Sequence, residues 1–94
     1  MNRYVIERDL PGAGSLSADQ IRSAAQSSNI ALSEVGPGIQ WVQSHVTEDR
    51  IYCVYLAESP EIIREHARMA GLPATAVSQV MRVIDPMTGS AADW

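Results

Sequence analysis

Two histidines, one cysteine and a few carboxylates carry most of the chemistry available to this 94-residue chain. His45 and Cys53 flank the polar tip Thr47-Glu48-Asp49-Arg50. A hairpin loop of odd length sets them side by side on one sheet face, Cβ atoms roughly 5 Å apart. An even loop sets His45 opposite Tyr52 and turns Cys53 to the other face. Val42, Val46, Tyr52, Val54 and Leu56 form one apolar set only in the odd register, which therefore groups Trp41, Gln43, His45, Cys53 and Tyr55 on the opposite face. In the first strand, Tyr4, Ile6 and Arg8 alternate with Arg3, Val5 and Glu7, so Glu7 joins His45 if Tyr4 and Ile6 meet the helices. A carboxylate, an imidazole and a thiol on one face are donors for a borderline divalent ion such as Ni²⁺, Zn²⁺ or Cu²⁺. The same groups serve acid–base chemistry, with His45 as the acid–base group and Glu7 orienting it. His66, at the border of a helical apolar stripe, is a further candidate ligand or base.

Each of these residues has a plainer reading. A single strand cysteine usually packs as a small hydrophobe, a Glu–His pair is often a satisfied polar contact, and a boundary histidine often only packs its ring. No CxxC, HxH or HExxH spacing is present to sharpen the metal signal. Other chemistries are excluded more firmly. All seven basic residues are Arg, so no lysine exists for a Schiff base or a Walker-type phosphate site. Gly12-Ala13-Gly14 lacks the third glycine of a dinucleotide loop, and Ser15 and Ser17 have no nucleophile-elbow context. A net charge of −4 argues against nucleic acid as a partner.

The elements that must position these groups follow from pattern. Tyr4 to Arg8 is β-branched and aromatic, and Pro11-Gly12 with Gly14 forces a loop after it. Ser17 with Gln20 is a capping box opening a helix, which Ile21, Ala24, Ala25, Ser28, Leu32 and Val35 continue until Gly36-Pro37-Gly38. Ile39–Val46 and Ile51–Ala57 predict a hairpin, Ser59-Pro60-Glu61 opens a second helix ending at Gly71, and Val77–Ile84 contains a last strand. The order β-α-β-β-α-β predicts a single α+β domain over residues 1–86. It is of the ferredoxin-like kind, an antiparallel sheet with two helices on one face, followed by a flexible tail over 87–94. The other face, carrying Trp41 and Tyr55, is too apolar for water, which predicts a homodimer of facing sheets, the dimeric α/β-barrel arrangement. A single cysteine, no apolar run of about 18 residues and no signal-peptide core predict a cytoplasmic protein with no membrane partner.

The blocks Tyr4-Val5-Ile6-Glu7-Arg8, Ile39-Gln40-Trp41-Val42, His45-Val46-Thr47, Ile51-Tyr52-Cys53-Val54-Tyr55 and Ile63-Arg64-Glu65-His66-Ala67, with Gly71-Leu72-Pro73-Ala74, resemble a bacterial family of small nickel-binding-protein-like domains. The resemblance spans about residues 3 to 86, and Leu72 replaces the family's usual Phe. It implies a ferredoxin-like homodimer that binds nickel for sequestration, with His45, His66, Glu7 and Cys53 at family-like positions able to supply N, O or S donors. The competing expectation is a small cofactor-free enzyme, monooxygenase- or isomerase-like. There His45 is the base, Glu7 orients it, and Trp41 and Tyr55 line a pocket between sheet and helices.

Overall fold

A computed structural model describes residues 1–90; Trp94, and with it the end of the expected tail, lies outside the described residues. The chain folds as β1 (Asn2–Asp9), a 3₁₀ turn at Ala13–Ser15, α1 (Ala18–Val35), β2 (Ile39–Val46), β3 (Arg50–Ala57), α2 (Pro60–Ala70), β4 (Ala76–Gln79) and a short α3 (Pro86–Ser90). Both long helices begin where the capping chemistry directs. Ser17 Oγ accepts from the Gln20 backbone N–H at 3.1 Å, while Gln20 Oε1 accepts from the Ser17 N–H at 2.8 Å. Ser59 caps α2 ahead of Pro60, and Gly71 closes it at φ 71°, a left-handed angle.

The four strands form one antiparallel sheet in the order β2-β3-β1-β4. Helices α1 and α2 pack together over the face that carries Tyr4, Ile6, Cys53, Tyr55 and Ala57, and Ile63, Leu32 and Ile62 close the core against them. Tyr4 and Ile6 therefore meet the helices as the alternation of β1 requires.

The hairpin register corrects one expectation. Val46 pairs with Ile51 and His45 with Tyr52, so the loop is even and Cys53 points to the helices, away from His45. Tyr55 turns inward with it, opposite Tyr4 on β1. The reason is that β3 is apolar on both faces. Alternation alone cannot orient such a strand, and pairing with β1 decides it. A bulge between Trp41 and Gln43 leaves Val42 unpaired and shifts the phase of β2. Trp41 and Ser44 consequently share the helix-facing side, joined by Trp41 Nε1 donating to Ser44 Oγ at 2.9 Å.

Two further differences concern the edges. His66 is fully buried, not at a boundary. The last strand stops at Gln79: Val80 N–H still donates to the Arg3 carbonyl at 2.8 Å, and beyond it Met81, Val83 and Ile84 stand 84%, 66% and 73% exposed. Residues 86–90 are helical, with Asp85 and Thr88 exchanging side-chain-to-backbone bonds at the turn.

Candidate functional site

The six candidate side chains divide between the two faces of the sheet. On the open face, His45, Tyr52 and Glu7 form one row across β2, β3 and β1. Strands are about 4.8 Å apart, so His45 and Glu7 are separated by roughly 10 Å of backbone, with Tyr52 between. His45 is exposed, and its Nε2 accepts from the Gln43 amide nitrogen at 3.1 Å. Arg50 bridges Asp9 Oδ1 at 2.8 Å and Glu7 Oε1 at 3.5 Å, so the carboxylates of β1 already share a cation. That pair is solvated and contributes little to stability.

On the covered face the chemistry is buried. Arg8, from the same alternation as Tyr4 and Ile6, is only 1% exposed. Its Nε donates to Cys53 Sγ at 3.3 Å and its Nη1 to the Pro73 carbonyl at 2.6 Å, while Nη2 has no partner among the described residues. His66 Nε2 lies 3.2 Å from both the carbonyl oxygen and Oγ of Ser28. A carbonyl can only accept, so Nε2 carries the proton and Nδ1, buried and without a partner among the described residues, keeps its lone pair. Burial holds the His66 pKa below the ordinary imidazole value, with the nearby Arg8 charge acting the same way against the opposing Ser28 contact. Burial pushes the Tyr55 phenol upward, against the pull of Arg8 and Ser28. The Tyr55 and His66 rings meet with centroids 5.4 Å apart at 56°.

Between this cluster and α1 lies a pocket of about 100 Å³. Trp41 and Tyr55 line it together with Arg8, Cys53, Ser28 and Ile21, among others. His45 and Glu7 are on the opposite side of the sheet, so within one chain the pocket has no His45 base and no orienting Glu7. Arg8 is the residue that functional reading of the sequence passed over. Its place beside Tyr4 and Ile6 on the alternating strand was the signal, because an inward arginine needs a reason.

The metal expectation meets a similar division. Among the described residues no three His, Cys, Asp or Glu side chains converge into a group that could hold a metal ion. His45 and Glu7 share the open face, whereas Cys53 and His66 are behind the sheet, already bonded to Arg8 and Ser28. No helix among the described residues is long and apolar enough to cross a membrane.

Fold and site together define a small α+β domain, a four-stranded antiparallel sheet whose one face is roofed by helices and whose other face is left open. It is similar in structure to SCO4226 from Streptomyces coelicolor A3(2), known from a crystal structure, with a TM-score of 0.74 at 18% identity over 87% of this chain and 99% of that one. The family model described as nickel responsive protein, SCO4226-like, matches residues 4–80, and the chain belongs to that family. No curated protein matches it.

Proposed function

We infer that this chain acts as a cytoplasmic homodimer, a ferredoxin-like pair of the dimeric α/β-barrel type, that binds nickel and sequesters it. The observation that carries this reading is membership, over residues 4–80, of a family described as nickel responsive. The donor chemistry is consistent with it on the open face. His45 is the one exposed imidazole in the sequence's pair, since His66 is 0% exposed. Imidazole suits Ni²⁺, and Glu7 adds a carboxylate on the same face.

Tyr52 stands between His45 and Glu7 on the open face, and Glu7 is already paired with Arg50. The ion therefore takes His45 from one copy and completes its shell with a second copy's donors or with water. Two features support the second copy: Val5, Val54 and Leu56 are only half-buried on the open face, and Met81, Val83 and Ile84 form an exposed apolar run. Cys53 and His66 remain part of the proposal only if the sheet yields, because both are enclosed by α1 and α2.

Calorimetric titration with Ni²⁺ tests the reading. His45→Ala is expected to weaken binding at least about tenfold and Glu7→Gln to weaken it less, while His66→Gln leaves it unchanged. Full affinity in His45→Ala would remove the open face from the site.

A further inference from the structure

Helix α1 covers the sheet unevenly. Its C-terminal half docks on the core through Leu32 and Val35, whereas its N-terminal half turns only Ile21, Ala24 and Ala25 toward the strands. Two alanines stand where the apolar stripe of a helix ordinarily carries large side chains, and they leave space beneath them. That space is the pocket of about 100 Å³, whose walls are almost wholly apolar. The polar groups behind those walls are already engaged. Trp41 Nε1 donates to Ser44 Oγ, Ser28 Oγ lies 3.2 Å from His66 Nε2, and Arg8 donates to Cys53 and to the Pro73 carbonyl. Arg8 Nη2 has no accessible surface either, so the pocket presents no charge to a ligand.

We propose that this pocket binds a small uncharged apolar molecule, held by contact with its walls alone. A charged or strongly hydrated ligand would give up water for walls that return no hydrogen bond. A hydrocarbon loses nothing of that kind, and leaving water favours it. Trp41 and Tyr55 add aromatic surface and Cys53 a polarizable sulfur, all suited to close dispersion contact. The size sets a limit too. An apolar cavity of about 150 Å³ admits benzene, so about 100 Å³ suits a body of about four or five carbons. The rim lies between α1 and β2, where Ile21 and Val46 are each 42% exposed, so entry requires no opening of the core. The pocket is behind the sheet from His45 and Glu7, and its occupant does not compete with a metal there.

The test titrates cyclopentane into the isotopically labelled protein and follows amide and indole chemical shifts in the presence of a metal chelator. The chelator separates this site from nickel binding. Cyclopentane is expected to shift the resonances of Ala25, Ser28 and the Trp41 indole, saturably and with one dissociation constant. Tetrahydrofuran, the same ring with an ether oxygen that finds no donor here, should bind about tenfold or more weaker. Ala25→Leu puts hydrocarbon into the pocket and should weaken cyclopentane binding by a similar factor. Ala24→Leu, at an exposed position of the same wall, carries the test if Ala25→Leu does not fold. The proposal is overturned if no shift appears around the pocket, if Val5 and Val54 on the open face respond equally, or if binding survives in both variants. Pocket resonances that move with protein concentration and not with cyclopentane would assign the space to a second copy, and overturn it as well.

Discussion

His66 and His45 are the same side chain in opposite circumstances, and the difference is measurable. His66 is enclosed, proton on Nε2 toward Ser28, with its pKa held down by burial and by Arg8. A histidine whose folded-state pKa is depressed stays neutral in the fold, whereas the unfolded chain takes up a proton near pH 6.5. The unfolded state then binds more protons, so the stability gained from a neutral His66 is full above that pH and is lost as the pH falls toward the folded pKa. Thermal midpoints are expected to fall between about pH 7 and about pH 5 in the parent protein. The slope should flatten in His66→Gln and persist in His45→Gln. An unchanged slope in His66→Gln would assign the effect elsewhere. Arg8 is the second residue whose surroundings decide its role: the same guanidinium on the open face would be an ordinary solvated charge.

At the scale of elements, the ends of the helices rest on single residues. Gly71 takes φ 71° with open space where a Cβ would stand, so Gly71→Ala meets backbone strain alone. It is expected to cost about 1–2 kcal/mol, read as a lower midpoint in chemical denaturation. Ser17→Ala removes one half of a reciprocal cap and should cost about 1 kcal/mol. These features were legible in the sequence because caps and glycine stops act within four residues of themselves. The element order and the inward side of β1 were legible for the same reason, Tyr4 and Ile6 alternating with Arg3, Val5 and Glu7. The face of β3 was not. Ile51-Tyr52-Cys53-Val54-Tyr55-Leu56 offers an apolar set on either side, and its orientation is settled by pairing with residues some 45 positions away, Ile6 against Cys53. The bulge at Val42 left no compositional mark, and it determines which residues of β2 face Tyr55. The candidate site inherited that uncertainty: His45 and Glu7 do share the open face, Cys53, Tyr55 and Trp41 were assigned to the wrong one, and the inward Arg8 was read as alternation without consequence.

For the whole molecule, the asymmetry between its two faces is the main fact. One side of the sheet is sealed by α1 and α2, and the other holds half-buried Val5, Val54 and Leu56 beside His45. A domain of this size buries only roughly 60–65% of its unfolded surface and gains from a partner. Light scattering after size exclusion is expected to give twice the 10.2 kDa chain mass. Val54→Lys on the open face, or Ile84→Glu in the exposed run after β4, should lower it toward a single chain if those apolar residues form the contact. A monomer at all concentrations would remove the dimer, and with it any nickel site shared between copies.

The extra residue in β2 has an evolutionary reading. Trp41 already pairs with Tyr55 and Gln43 with Val54, so Val42 sits outside the ladder as slack in the strand. Losing that one residue would turn an irregular ladder into a regular one and leave every side chain downstream on its present side. Pulling the strand straight while keeping Val42 would do the reverse, sliding residues 43–46 by one step and rotating the imidazole inward and Ser44 outward. Length changes in this strand are therefore unequal in their effects. A homologue one residue shorter at position 42 can keep both the open-face and the pocket-facing side chains of β2 where they are.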